Sequence, residues 1–170
     1  MGKITLILGG ARSGKSTYAL RLAARKDTAF VATCQGLDKE MRERIRLHKL
    51  KRPKHWQTIE EPYALPEAVS KISNKFGCLI IDCLTLWVSN LILKKKPLRY
   101  IEDEIIRTIK LLKKSKAKAI IVSNEVGLGI VPGNKLSRDF RDIAGKVNQI
   151  VAGGADEVVF MVSGIPWRIK

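Results

Sequence analysis

The residue pattern with the clearest chemistry lies near the start of the chain. Gly9, Gly14, Lys15 and Ser16 fit the spacing G-x-x-x-x-G-K-[ST], between an apolar run at 4–8 and a stretch of good helix formers. Glycines let backbone N–H groups close around phosphate oxygens, and a following helix adds the positive end of its dipole. Lys15 is expected to reach the β- and γ-phosphates of a nucleotide, and Ser16 to ligate Mg²⁺. The sequence therefore predicts that a nucleoside triphosphate binds through Gly9, Gly10, Ala11, Arg12, Ser13, Gly14, Lys15, Ser16 and Thr17.

A second element of the same site is an apolar run that ends in an acid. The run Cys78–Asp82 has the composition of a buried strand, and such a strand delivers its last side chain to the carboxyl edge of a parallel sheet. A phosphate-binding loop lies at that same edge. We therefore expect Asp82 to hold Mg²⁺ together with Ser16, either directly or through water.

The segment 38–61 is rich in cations and contains both histidines of the chain. Asp38 can cap a helix on which Arg44 and His48 are four residues apart and share a face. Nearby cations disfavour the imidazolium, so they are expected to lower the pKa of His48 and keep it nucleophilic toward phosphorus. Those cations are Arg44, Lys49, Lys51 and Arg52. Trp56 is expected to offer an aromatic face, and no role is expected for His55. A surface histidine on a solvated basic helix is the alternative for His48.

A third strand pattern, Ala119 to Ser123, places Asn124 and Glu125 at the same edge as the phosphate-binding loop. Glu125 could act as a general base toward a substrate hydroxyl or as a metal ligand. The glycines and proline that follow predict an irregular loop, suited to covering a substrate. The alternative is an Asn–Glu pair that only opens a turn.

Short apolar runs alternate with helical patterns along the whole chain. Strands are predicted at 3–8, 28–33, 78–82, 118–123 and 156–163, and helices at 15–25, 38–50, 63–74, 84–94, 100–115 and 137–152. This alternation predicts an α/β fold with a mostly parallel sheet flanked by helices. No repeat or linker interrupts residues 1–170, so a single nucleotide-binding domain is expected.

Composition and cysteine usage narrow the class of protein. A chain of 170 residues with 45% hydrophobic content can bury a sizeable core, and it contains no apolar run long enough to span a membrane. Cys34, Cys78 and Cys83 lack the paired spacing of a zinc site or a disulfide framework. The apolar run at 4–8 begins after three residues, which is expected to leave no room for a signal peptide. These features predict a cytoplasmic protein.

The formal net charge of +16 is concentrated in two stretches. Residues 39–55 carry eight basic and two acidic residues, a net of +6, and residues 94–118 carry ten and three, a net of +7. The second stretch is typical of the solvated face and tail of an amphipathic helix, which we favour over an RNA or DNA site. An NTPase stimulated by nucleic acid remains an alternative that the charge suggests.

Four blocks that occur in order carry a resemblance to a known family. They are GGARSGKS, VATCQGLDKEMRERIRLHKLKRPKHWQTIEEP, IIDCLTLWVSNLIL and IVSNEVGLGIVPGNKLSRDFRDIAGKVNQIVAGGADEVVFMVSGIP. Over essentially its whole length the chain resembles the bifunctional adenosylcobinamide kinase/adenosylcobinamide-phosphate guanylyltransferase family. A phosphate-binding loop alone occurs in many families, whereas the blocks H-x-x-x-R-P-x-x-W and N-E-V-G-x-G-I-V-P are far more specific.

The resemblance implies a RecA-like P-loop fold, a homotrimer and two reactions. ATP or GTP first phosphorylates adenosylcobinamide, and GTP then transfers GMP to adenosylcobinamide phosphate through a guanylyl-histidine, for which His48 is the matching position. Lys15 and Glu125 are the other expected catalytic residues. Further contacts to the nucleotide are expected from Arg44, Arg52, Glu60 and Asp82. A P-loop kinase of another small molecule, with His48 incidental, is the alternative.

Overall fold

The computed structural model describes residues 2–23 and 27–170, which form one sheet and its covering helices. The strands are β1 (Ile4–Gly9), β2 (Thr28–Ala32), β3 (Gln57–Glu60), β4 (Cys78–Asp82), β5 (Lys118–Val122), β6 (Glu157–Val162) and β7 (Ile165–Arg168). The helices are α1 (Lys15–Ala23), α2 (Lys39–Leu50), α3 (Leu65–Ile72), α4 (Leu84–Leu93), α5 (Leu98–Lys114) and α6 (Lys135–Gly154).

The strand order β3-β2-β4-β5-β1-β6-β7 brings three functional segments to one edge of the sheet. Every neighbouring pair is parallel except β6 and β7, which form an antiparallel hairpin. Because β5 lies between β1 and β4, the chain leaves these three central strands side by side at their carboxyl ends. Those exits are the phosphate-binding loop, Asp82 and Asn124.

Apolar residues on both faces of the central strands explain why the sheet forms here. β1 is buried along its whole length, and β4 and β5 are buried except at one end. Residues such as Leu6 and Ile81 pack under α4, α5 and α6, whereas Ile7 and Ile80 pack under α1. A sheet covered on both faces needs continuous apolar strands rather than alternating ones, and these strands have that pattern.

The predicted α/β class and mostly parallel sheet are confirmed, and the helix ends agree to within about two residues. Residues 24–25 of the predicted helix 15–25 lie outside the described residues. Two strands were missing from the prediction. β3 is exposed except at Ile59, which is partly buried, and has no run of apolar residues; β7 is exposed throughout and contains Pro166. Both lie at the outer edges of the sheet, where the burial that marks a strand in sequence is weakest.

The prediction of an accessible aromatic face at Trp56 is wrong. The indole is only 7% exposed and packs with Phe30 and Ile80 against the α1 side of the sheet. A tryptophan after a proline in a polar segment gives no sign of this burial, because the neighbours that cover it come from other strands.

The lysine-rich stretch 94–118 divides between a turn and a helix. Lys94, Lys95 and Lys96 lie between α4 and α5, whereas Lys110 and Lys114 lie on the solvated side of α5, as predicted. α5 buries its opposite face through residues such as Ile105 and Leu112. Among the described residues no helix is long and apolar enough to cross a membrane.

Candidate active site

The phosphate-binding loop runs from the end of β1 to the start of α1 and is shaped by two glycines. The φ angle is 146° at Gly9 and 93° at Gly14, values that residues with a side chain rarely adopt. A Cβ atom at Gly9 would also lie 2.6 Å from the carbonyl oxygen of Met161. Both positions therefore require glycine, and the loop owes its curvature to them.

Lys15 is buried at the centre of this loop. Its ammonium group donates to the carbonyl oxygen of Gly10 and, at 3.4 Å, to the hydroxyl of Ser13. Burial lowers the pKa of Lys15, while the nearby Cys83 and Asp82 act in the opposite direction. The loop thus holds an ammonium group against local acceptors that phosphate oxygens can replace.

Asp82 ends β4 beside the first turn of α1. The Ser16 side chain lies beside the Asp82 carboxylate and acts to lower its pKa, so the two predicted metal ligands are close together. Burial raises the pKa of Asp82, and the Ser16 hydrogen bond followed by the charges of His48, Arg52 and Lys15 opposes that rise.

This pair fits Mg²⁺, which is commonly held by one or two protein oxygens while phosphates and water complete its shell. Within residues 2–23 and 27–170 no three His, Cys, Asp or Glu side chains gather into a metal site made of protein ligands alone.

Helix α2 carries His48 and lies outside the packed core, because none of its residues is buried. Asp38 caps it as predicted: its carboxylate accepts a hydrogen bond from the backbone N–H of Met41 at 2.7 Å. On the exposed face, Arg46 forms an ion pair with Glu43 at 2.7 Å. Local interactions of this kind, rather than apolar burial, hold the helix together.

The C-terminal end of α2 is fastened to the sheet by two cations. The guanidinium carbon of Arg52 lies 3.6 Å from the centroid of the Phe30 ring, and its Nη1 donates to the Thr58 hydroxyl at 3.2 Å. Lys49 forms an ion pair with Glu60. Since the partners lie on β2 and β3, the last turn of α2 is held against the edge that carries Asp82.

His48 is half-buried, and its pKa is lowered as predicted, although the leading cause differs from the expected one. Burial contributes most; Asp82 opposes it, and the cations Lys51, Arg52 and Arg44 add to the lowering. Lys49, which was also expected to lower this pKa, has its ammonium paired with Glu60. The neutral, nucleophilic imidazole is therefore the form favoured near neutral pH. His55 is exposed and lies edge-on to Trp56, with the ring centroids 6.5 Å apart.

A cavity of about 970 Å³ lies between α2 and the carboxyl edge of the sheet. Its lining combines predicted residues from four separate segments: Ala11, Arg12, Ser13, Gly14, Lys15, Ser16 and Thr17; Arg44, His48 and Arg52; Glu60; and Asp82. Asn124 also lines it, whereas Gly9, Gly10, Glu125 and His55 do not. The structure thus brings the phosphate-binding loop and His48 into the lining of one cavity.

Glu125 stabilises a turn in this structure. Its backbone N–H donates to the carbonyl oxygen of Gly9 at 3.1 Å, and its carboxylate accepts from the N–H of Gly127 at 2.8 Å. The residue therefore ties the loop after β5 to the phosphate-binding loop while its side chain points along its own turn.

A buried hydrogen-bond network behind the cavity could not be predicted from sequence motifs. Thr85 accepts from the N–H of Asn124 at 2.7 Å, and Asn148 donates to the carbonyl oxygen of Asn124 at 3.1 Å. Thr33 holds Cys83, the residue after Asp82, in a similar way. The Thr33 hydroxyl donates to the carbonyl oxygen of Cys83 at 2.7 Å and accepts from the backbone N–H of Cys83 at 2.9 Å. Polar residues within apolar segments are the available signal for such supports, but their partners are distant in sequence.

A phosphate-binding loop on a sheet of this order defines the class of protein as a P-loop NTPase with a RecA-like fold. The crystal structure of a KaiC-like protein from the hyperthermophilic archaeon Pyrococcus horikoshii shares the fold, with a TM-score of 0.52 and 15% identity over 94% of this chain and 70% of that one.

Comparisons of sequence identify the family. The family model described as cobinamide kinase / cobinamide phosphate guanyltransferase matches residues 5–169. A bifunctional adenosylcobalamin biosynthesis protein of Pseudomonas aeruginosa, CobP, is 45% identical over 97% of this chain and 96% of its own. The proteins of the same description named CobU from Escherichia coli and Salmonella typhimurium are 41% and 42% identical, each over 97% of this chain and 98% of its own. The chain belongs to the cobinamide kinase / cobinamide phosphate guanyltransferase family.

Proposed function

We propose that the protein phosphorylates adenosylcobinamide with ATP or GTP and then transfers GMP from GTP to adenosylcobinamide phosphate, giving adenosylcobinamide-GDP in adenosylcobalamin biosynthesis. The observation that supports this proposal is the shared cavity, which is lined by both the phosphate-binding loop and a half-buried histidine. A kinase alone has no use for a nucleophilic imidazole at that position.

In the kinase step, the hydroxyl of the aminopropanol arm attacks the γ-phosphorus. A new P–O bond forms, the bond to the β-phosphate oxygen breaks, and the nucleoside diphosphate leaves. Lys15 gives up its contacts to Gly10 and Ser13 and stabilises the charge that shifts toward the β/γ bridge. Mg²⁺, held by Ser16 and Asp82, would neutralise phosphate charge when bound. Glu125 is proposed to take the hydroxyl proton after releasing the Gly127 N–H.

In the guanylyl step, the neutral imidazole of His48 attacks the α-phosphorus of GTP. A P–N bond forms, the bond to the bridging oxygen breaks, and pyrophosphate leaves with the electron pair. The phosphate of adenosylcobinamide phosphate then attacks the same phosphorus, breaks the P–N bond and restores the imidazole. Arg44 and Arg52 are proposed to hold the triphosphate, since both line the cavity beside His48. Glu60 is proposed to contact the nucleotide from the opposite side.

Radiolabelled GTP tests the covalent step. Label at the α-phosphate should remain on the protein, whereas label at the γ-phosphate should not. A phosphoramidate bond is cleaved by acid and survives mild base, so acid should remove the label. His48→Ala should abolish labelling and guanylyl transfer, and His55→Ala is the matched control that should leave both intact. Labelling that survives His48→Ala, or that resists acid, would contradict the proposal.

We further propose that residues 1–170 act as one domain in the cytoplasm and assemble as a homotrimer. The family resemblance suggests the trimer, and exposed apolar side chains on the β6–β7 hairpin support self-association: Val162, Ile165 and Trp167 are each about half exposed or more. Sedimentation equilibrium should give three times the 19.0 kDa chain mass. A monomer at micromolar concentration would contradict this assembly.

A further inference from the structure

The loop between β5 and α6 exposes several aliphatic side chains that are close together in the sequence. Leu128, Ile130 and Val131 are 79%, 96% and 62% exposed, and Leu136 in the first turn of α6 is 57% exposed. Single exposed aliphatic residues need no explanation, but a contiguous group marks a binding surface. We refer to residues 127–133 as the apolar loop.

The apolar loop begins next to the cavity and ends in hydrogen bonds to α6. On one side, Asn124 lines the cavity and Glu125 hydrogen-bonds to Gly9 of the phosphate-binding loop. On the other, Arg138 donates to the carbonyl oxygens of Pro132 and Gly133 at 3.0 and 2.6 Å. The aliphatic side chains are therefore carried by a loop whose preceding residues, Asn124 and Glu125, adjoin the candidate site.

The middle of the apolar loop has unused backbone donors and no charge. In the part of the chain that the structure describes, no group accepts a hydrogen bond from the backbone N–H of Leu128, Ile130 or Val131. Residues 126–134 contain no ionisable side chain. The surface therefore combines methyl groups with free amide donors, unlike α2 on the other side, where residues 39–55 carry a net charge of +6.

The size of the cavity indicates that it cannot hold the nucleotide and the whole acceptor together. A volume of about 970 Å³ is near the top of the range of about 300–1,000 Å³ for pockets that hold one drug-sized ligand. The nucleotide takes this space. Adenosylcobinamide is much larger, and only its aminopropanol arm must reach the phosphates. Its corrin ring has to rest outside the cavity, against the surface near the mouth.

We propose that the apolar loop binds the corrin ring of adenosylcobinamide and of its phosphate, with Ile130 and Leu128 as the principal contacts. The rim of a corrin ring carries methyl groups, which suit the aliphatic side chains, and carboxamides, which can accept from the free N–H groups. A second copy of the chain could also cover an apolar surface, but the anchoring to the phosphate-binding loop favours the substrate. This inference rests on the proposed function.

Ile130→Ser, alone and combined with Leu128→Ser, tests the inference. The variants should raise the KM for adenosylcobinamide phosphate at least about tenfold, the scale of one buried aliphatic side chain. Labelling by α-labelled GTP without acceptor should be unchanged. With 1-amino-2-propanol phosphate, the arm without the ring, the variants and the parent protein should have the same kcat/KM. Leu93→Ser is the matched control: Leu93 is 61% exposed at the end of α4 and lies outside the cavity lining, so its KM values should not change.

Three results would overturn the inference. An unchanged KM for the corrinoid would show that the ring binds elsewhere. An equal loss with the ring-free acceptor, or a loss of labelling, would show that the loop serves the nucleotide or the chemistry. A change in oligomeric state of Ile130→Ser in gel filtration would assign the surface to an interface between copies. If the parent protein labels with GTP and yet converts no corrinoid, the proposed function itself fails, and the loop assignment fails with it.

Discussion

At the scale of single residues, Lys15 is the cation on which the phosphate-binding loop depends. Its burial means that the loop has given up solvation of this charge, which a bound phosphate compensates. Lys15→Ala should lower the rate of adenosylcobinamide phosphorylation at least about a hundredfold, the effect of losing one strong electrostatic contact in a transition state. Lys114→Ala, an exposed lysine on α5, is the control. Near-normal turnover of Lys15→Ala would refute the assignment of the loop.

Asp82 is expected to act through the metal. Asp82→Asn keeps the shape of the side chain and its contact with Ser16 but removes the charge that attracts Mg²⁺. The Mg²⁺ concentration for half-maximal kinase activity should rise, and saturating Mg²⁺ should restore part of the rate. If the Mg²⁺ dependence of the variant coincides with that of the parent protein, Asp82 is only a structural residue at the end of a strand.

The lowered pKa of His48 predicts a pH dependence for the guanylyl step. Because the nucleophile is the neutral imidazole, the labelling rate should fall only below the pKa of His48, which lies below the ordinary histidine value of 6.5. Lys51 is one of the cations that lower this pKa, so Lys51→Ala should raise it and move the acid limb to higher pH. Labelling rates measured from pH 5 to 8 test the direction. A limb that stays in place, or moves to lower pH, would contradict it.

At the scale of elements, α2 and α6 both have an N-terminal cap but differ in how much they bury. Asp38 caps α2, which buries no residue, and Asn134 caps α6, which buries Ala144, Val147 and Val151. Removing either cap costs about 1 kcal/mol of helix stability. Asn134→Ala should lower Tm by about 2–4 °C, the shift expected for a chain of this size. Asp38→Ala should leave Tm nearly unchanged and instead slow the labelling of His48.

Thermal unfolding and labelling measured on the same two variants separate these effects. If Asp38→Ala lowers Tm as much as Asn134→Ala, α2 is part of the cooperative core, and its independence from the core would be disproved. If Asp38→Ala changes neither quantity, the ion pair with Glu60 and the Arg52–Phe30 contact are sufficient to hold His48 in place.

Elements buried on both faces could be predicted from the sequence, and elements at the periphery could not. β1, β4 and β5 are uninterrupted apolar runs because helices cover both of their faces. β3 and β7 depend on pairing with β2 and β6, which is a property of the folded chain and not of their own residues. Trp56 was misjudged for the same reason, because its cover comes from β2 and β4.

The candidate site divides in the same way. The phosphate-binding loop and Asp82 follow strands whose burial is visible in the sequence, so their position at one edge could be predicted. That His48 faces this edge depends on Arg52 resting on Phe30 and on Lys49 pairing with Glu60, contacts between segments up to 22 residues apart in the case of Arg52. Sequence spacing predicts which side of α2 carries His48 but not what that side faces.

At the scale of the whole molecule, the charge of +16 is concentrated in two clusters, and only the first has cations at the candidate site. The cations of α2 surround a cavity suited to triphosphate, whereas those of α5 lie on the solvated back of a helix. Residues of the first cluster line the cavity and none of the second does, so we expect RNA and DNA to leave the GTP turnover of the protein unchanged. Assays with single- and double-stranded nucleic acid at 50–200 mM salt test this. Stimulation that weakens steeply with salt would instead identify a nucleic-acid-dependent NTPase.

The position of α2 outside the core has a consequence for how the family can evolve. Substitutions that abolish guanylyl transfer by altering α2 leave the sheet and its phosphate-binding loop intact, so selection can discard this activity without the cost of misfolding. Loss of the kinase activity alone is harder, because the kinase residues begin at the end of β1, one of the three central strands. Lineages that specialise should therefore arise more readily as kinases that have lost the histidine than as transferases that have lost the phosphate-binding loop.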